Sequence, residues 1–171
     1  MEGTRETGTI GVLRRGLIAL AALGVVATAV ELAMLRHWNG FVQLIPWVAL
    51  AVISAALVLL VARPRRSAIR AARALALVVV LAAGVGVVEH VIANYNAAPL
   101  DFRYSTRWAT MSTRSRWWAA FTESVGPSPT LAPLALAWSA LCVMFATADH
   151  PALGSAPAEA PVPAAAARGA G

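Results

Sequence analysis

The chain has 171 residues, 59% hydrophobic and only 13% charged, and its 14 basic residues are all arginine. A soluble domain carries about 25% charged residues, so this balance excludes an ordinary soluble core and points to a membrane. The arginines flank apolar blocks, where topology signals sit, which argues against nucleic acid; the single cysteine, Cys142, excludes an intrachain disulfide and a multi-cysteine metal site.

A polar, Gly/Thr-rich tail (1–13) opens the chain. Arg14 and Arg15 precede the first predicted span, about 16–36. "ATA" at 27–29 permits a cleaved signal peptide, and "RRGL" at 14–17 resembles a twin-arginine signal. A short turn at Trp38, Asn39 and Gly40 nevertheless leads straight into a second span, 41–62, which suits a retained hairpin. A basic loop, "RPRRSAIRAAR" at 63–73, separates it from the third span, 74–95. Apolar runs of roughly 20 residues cross a bilayer. Residues 96–128 form a polar and aromatic segment, and a fourth span is predicted over 129–148, started by Pro129. The membrane domain thus covers 14–150, and the Ala/Pro/Gly-rich tail, 151–171, is predicted to be disordered.

Arg5, Arg14, Arg15 and the five arginines between 63 and 73 fall on one side of this arrangement. Arg36, Arg103, Arg107, Arg114 and Arg116 fall on the other. The first set is larger and nearer the span ends, so both termini are expected to be cytoplasmic. The expected fold is an all-α integral membrane four-helix bundle in a bacterial inner membrane, with a short interfacial helix in the second outer connection.

With four spans, Glu31, His37, Gln43, Glu89, His90 and Asn94 come to one depth from three helices. An intramembrane carboxylate costs roughly 2.5–3.5 kcal/mol at the bilayer centre and less near the interface, so such groups are paired, protonated or functional. Small-residue stripes (Gly24, Ala27 and Thr28; Gly86 and Ala93; Ala135, Ser139, Cys142 and Ala146) are predicted to face inward and carry these polar groups with them. Glu89 and His90 are adjacent, so on a helix they diverge by about 100° and cannot chelate one ion together. Three readings stand: a hydrogen-bonded network pinning the helix ends, a proton relay using carboxylate and imidazole, or a metal or haem site drawing on His37, His90, Glu31 and Glu89. His150 reads as a helix-end residue, and Cys142 as a small packing residue.

In "STRSRWWAAFTES" (112–124), Trp117 and Phe121 stand at i and i+4, with Trp118 beside them and Arg114 and Arg116 before them. This predicts a short helix in the interface, with Trp108, Trp117, Trp118 and Phe121 as aromatic anchors and the arginines toward headgroups. A lid packed over the bundle fits the same pattern.

At "ELAMLRHWNGFVQLIP", "EHVIANYNAAPLDFRY" and "GPSPTLAPLALAWSALCVMFATADHP", the chain resembles an uncharacterised family of small bacterial four-helix integral membrane proteins. Glu31, His37, Gln43, Pro46, His90, Asn94, Pro133, His150 and Pro151 match its pattern. The arginines of the 96–128 segment depart from the acidic residues that the resemblance leads one to expect there. The resemblance implies architecture and no mechanism.

No nucleophile–base pair or catalytic motif is present. The expected function is therefore non-enzymatic: an accessory or scaffold subunit whose polar cluster orders the bundle and which binds membrane lipids, a lipid headgroup or other membrane-protein subunits, and no nucleic acid. No cofactor is expected. The alternative is a metal-, haem- or proton-handling component of a redox or transport complex.

Overall fold

The computed structural model describes residues 2–154, with side chains from Gly8 onward. Every regular element among the described residues is helical: α1 (Glu2–Met34), α2 (Phe41–Ala62), α3 (Arg66–Ala97), α4 (Thr113–Phe121), α5 (Leu134–Ala146) and the single turn α6 (Pro151–Gly154). Three of these helices are long and apolar enough to cross a membrane, within Gly8–Met34, Phe41–Ala62 and Arg66–Leu100.

Several predicted boundaries move. The polar stretch after Met1 is not a tail but the first turns of α1, and most of the predicted 63–73 loop is the start of α3, leaving only 63–65 between α2 and α3. Arginine and alanine are good helix formers. Their polarity marks where hydrocarbon would end, not where backbone hydrogen bonding ends. The tail predicted over 151–171 starts instead with the helical turn α6, and its remainder lies outside the described residues.

The larger correction concerns the fourth span. Pro129 does not start it; α5 begins at Leu134, with Pro133 at its N-cap, and has 13 residues. At 1.5 Å per residue this is about 20 Å, short of a hydrocarbon core of about 30 Å. Pro127, Pro129 and Pro133 explain the delay, since each lacks the N–H that would extend an α-helical ladder. The chain instead makes tight turns there, with Ala132 N–H donating to the Pro129 carbonyl and Leu136 N–H to that of Pro133.

Helix α1 lies antiparallel to α5, α5 also packs on α3, and α3 on α2. The α1–α5 direction is fixed by two contacts. Arg14 donates from Nε to the Ala146 carbonyl at 3.0 Å and from Nη2 to that of Asp149 at 3.2 Å. Farther along, Gly24 lies against Ser139 so closely that a Cβ there would collide with the Ser139 hydroxyl. The core between the helices is built of small and β-branched residues, with Ala21, Ile53, Ala56, Ile69, Ala72, Ala76, Val79, Ala140 and Val143 fully buried or nearly so. Outward faces are apolar as well. Val30, Val61 and Leu81 are 53%, 70% and 64% exposed, the pattern of a helix whose surroundings are themselves apolar.

A second, smaller core of Ala98, Trp108, Ala119, Ala120 and Val125 lies beyond the end of α3, with Val91, Tyr95, Tyr104 and Met111 against it. It makes residues 98–133 a cap packed on the last turns of α3.

Candidate functional site

Helix α4 is started by Ser112, whose hydroxyl accepts from the Ser115 N–H at 3.2 Å. It is ended by a left-handed residue, Glu123, with φ of 57°. Ser124 N–H then reaches back to the Ala119 carbonyl, the six-to-one bond of a Schellman ending. In that motif the carbonyl of the next residue, Ala120, normally takes a backbone N–H. Here the Asn94 side chain supplies the proton instead, from Nδ2 at 3.2 Å.

Asn94 is fully buried. Its Nδ2 also donates to the Ser128 carbonyl at 2.8 Å, with a longer approach of 3.4 Å to the Thr130 hydroxyl, and its Oδ1 accepts from the Ser128 N–H at 2.8 Å. One amide therefore binds both the end of α4 and the connection to α5. The fit requires Gly126, which has φ of +84° and lies against the Asn94 backbone and side chain where no Cβ fits. Glu123 adds a brace, its Oε1 accepting from Thr130 N–H at 2.7 Å.

His90 does a comparable task one turn below. The Pro129 carbonyl accepts from Ala132 N–H, and because Pro133 has no N–H to add, its second lone pair is open to a side chain. His90 Nδ1 lies 2.6 Å from the Pro129 oxygen. A carbonyl can only accept, so Nδ1 carries the proton. One turn lower again, Gly86 lets α3 approach Pro133, at 2.9 Å from the position of a Cβ. Gly86, His90 and Asn94, at i, i+4 and i+8, thus form a single stripe of α3 that zips onto residues 133 to 128 in reverse order.

The predicted cluster does not assemble as one network. Gln43 serves the α2 N-terminus, its Oε1 accepting from Asn39 N–H at 2.8 Å. His37 sits in the turn after α1, where its carbonyl accepts from the Trp47 indole at 2.8 Å. Burial, and secondarily the nearby His90, make the His37 ring harder to protonate than an ordinary imidazole. Glu31 is exposed and Glu89 half-buried; neither has a hydrogen-bond or ion-pair partner among the described residues. Glu31 lies on the Gly24 stripe as expected, yet α5 begins only at Leu134, too late to cover this position. No three His, Cys, Asp or Glu side chains come together to hold a metal ion among the described residues.

The aromatic segment divides in two. Trp108, expected as an interfacial anchor, is instead buried at 7% exposure. Tyr95 holds it edge-on at 5.2 Å and stacks on Trp117 at 4.4 Å. Arg116, expected to face headgroups, turns inward: Nε donates to the Met111 carbonyl at 3.0 Å and Nη2 to that of Ala109 at 2.8 Å. Neither inward turn was readable beforehand, because the partners are backbone carbonyls and a tyrosine on another helix. Arg103 closes on Asp101 through two bonds of 3.0 and 2.8 Å, which hold the Asp101 carboxyl down at about 2.

Trp118 and Phe121 remain at the surface, 66% and 44% exposed, 6.0 Å apart between ring centres. With Val91, Trp117, Arg107 and Arg114 they line an open cleft of about 1020 Å³ between the cap and α3. The Arg107 guanidinium lies over the Tyr104 ring at 4.2 Å. Arg114 is exposed and has no partner among the described residues. The chemistry on offer is therefore two guanidiniums beside an aromatic and aliphatic wall.

No protein-family model, no curated protein and no solved structure matches the chain.

Proposed function

We propose that the chain is a small, non-enzymatic integral membrane protein of a bacterial inner membrane that serves as an accessory or scaffold subunit. In this reading it crosses four times, with both termini cytoplasmic, and belongs with the small bacterial four-helix membrane proteins it resembles. The fourth crossing is made by α5 together with the proline-rich turns before it. The cap then stands on the outer face and presents a fixed surface to lipid headgroups or a partner subunit.

The observation that carries this reading is the use of Asn94. Its donors and its acceptor are all engaged by the cap backbone, which supports ordering of the cap rather than chemistry at the cluster. The arginine distribution supports the orientation. The test is side-specific labelling of the full chain in a Cys142→Ser background. With a membrane-impermeant maleimide on spheroplasts, Ser105→Cys should react and Ser67→Cys should be protected until lysis. The reverse pattern would overturn the orientation, and equal reaction at both sites the membrane crossing itself.

A second reading is a proton- or metal-handling component that draws on His37 and His90. An optical spectrum and elemental analysis of the purified chain address it. A Soret band or stoichiometric metal that disappears in His37→Ala would establish it in place of the first.

A further inference from the structure

The cleft lined by Val91, Trp117, Trp118, Phe121, Arg107 and Arg114 is not used by the clasp that holds the cap. Among the described residues its only charged lining groups are the two arginines, and no carboxylate faces it. It opens beside α3, one of the three helices long enough to cross a membrane, and Val91 on its wall belongs to the last turns of that helix. Cationic groups next to an apolar wall at the end of a span match an amphiphile with an anionic head and a hydrocarbon body.

We propose that this cleft binds an anionic phospholipid, its phosphate held by Arg107 and Arg114 and its acyl chain laid along Val91, Trp118 and Phe121. The proposal rests on the reading of the chain as a membrane protein with the cap at a bilayer surface. Guanidinium groups recognise phosphate as paired donors. Trp118 and Phe121 supply exposed apolar area at headgroup depth, where aromatic side chains partition favourably. Arg103 and Arg116 are spent on Asp101 and on backbone carbonyls, which leaves Arg107 and Arg114 as the arginines presented to a ligand there.

Native mass spectrometry of the full chain in detergent, titrated with phosphatidylglycerol or phosphatidylcholine, tests the proposal. Phosphatidylglycerol should be retained at one per chain and phosphatidylcholine lost. Near a membrane surface a basic residue contributes about fivefold in affinity, so Arg107→Gln with Arg114→Gln should weaken retention about twenty-five-fold. The pair Arg15→Gln and Arg70→Gln removes the same charge elsewhere and should bind as the parent does. Trp118→Ala should weaken retention while leaving the helical circular dichroism intact. Equal retention of the two lipids, or an equal loss in the Arg15 and Arg70 pair, would overturn the site. Competition by soluble glycerophosphoglycerol at the same concentration as the lipid would show a free-anion site and overturn the lipid assignment. If labelling places Ser105 outside and no lipid is retained, the cleft assignment fails alone; if labelling fails, the membrane reading falls with it.

Discussion

Asn94 and Ser128 are joined in both directions: the amide nitrogen donates to the Ser128 carbonyl and the amide oxygen accepts from the Ser128 N–H, each at 2.8 Å. Such a pair is the pattern one strand offers another, reproduced here by a side chain on a helix. It ties the last turns of α3 to a loop 34 residues later, at a point where prolines 127 and 129 leave that loop few donors of its own.

Replacing Asn94 should loosen the cap without dissolving the helices beneath it. Asn94→Leu strands the Ser128 N–H and the Ala120 carbonyl in a buried site, at a cost of about 2–4 kcal/mol. Asn94→Asp should do no better, since a carboxylate facing two carbonyls has no proton to give. Hydrogen exchange would check this: amides of 119–130 should lose protection while those of α2 keep theirs. Uniform loss would assign Asn94 to global stability instead.

The α1–α5 crossing makes a prediction about pairs. Gly24→Ala places a methyl against the Ser139 hydroxyl and should destabilise the packing by about 1–3 kcal/mol, despite the better helix propensity of alanine. Adding Ser139→Ala removes the obstructing oxygen. The double variant should recover about 1 kcal/mol or more relative to the sum of the singles. A thermal unfolding cycle in detergent measures this, and strict additivity would mean that the two positions do not touch.

Arg14 closes the other end of the same helix pair. Helix C-termini carry unpaired carbonyls and a partial negative charge, and a cation there is stabilising. The side chain is only half-buried, so Arg14→Gln should cost no more than about 1 kcal/mol. Arg14→Lys should keep the charge but lose the two-pronged grip on Ala146 and Asp149. Melting temperatures should fall in the order parent, lysine, glutamine; identical values would remove Arg14 from the account of how α5 ends.

The His37 ring gives a pH dependence with a defined sign. Its affinity for a proton is lowered in the folded chain from the ordinary 6.5, by burial first and by His90 second. The unfolded chain therefore binds that proton more readily, and stability falls as pH drops through 6.5 toward the lower folded value. Above 6.5 both states are neutral at this site and the contribution is flat. Melting temperatures scanned from about pH 8 to about pH 5 should show this fall, and His37→Gln should flatten it. An unchanged slope in the variant would move the effect to another group.

Much of the architecture can be read from periodicity and composition. The second span was expected at 41–62 and α2 occupies Phe41–Ala62, because Gly40 and the arginine-proline run after Ala62 set both hydropathy and helix ends at the same residues. The short helix at 112–124 appears as Thr113–Phe121, since Ser112 is a cap and the aromatic spacing is helical. Small residues marked close approach at Gly24 with Ser139 and at Gly86 with Pro133, whereas Ala27, Ala93 and Ala135, expected on the same inward stripes, are exposed. Hydropathy failed at both ends of the arginine-rich stretches, where a helix continues past its apolar part.

The partners of the polar groups were not legible. Glu31, His37, Gln43, Glu89, His90 and Asn94 were expected at one depth, with the small-residue faces of their helices turned inward, which suggested one network. Depth follows from counting residues along each span, so the sequence determined by itself that these groups lie near one end of long apolar helices. Which of them meet depended on how α3 is rotated and on where α5 starts. Three prolines delayed α5 and left the Ser128 carbonyl to Asn94 and a second approach to the Pro129 oxygen to His90, while Glu31 stayed uncovered. Only the tertiary structure could decide that, because an unmet hydrogen bond in one segment is satisfied by whichever side chain packing brings within 3 Å or so, however distant it is along the chain.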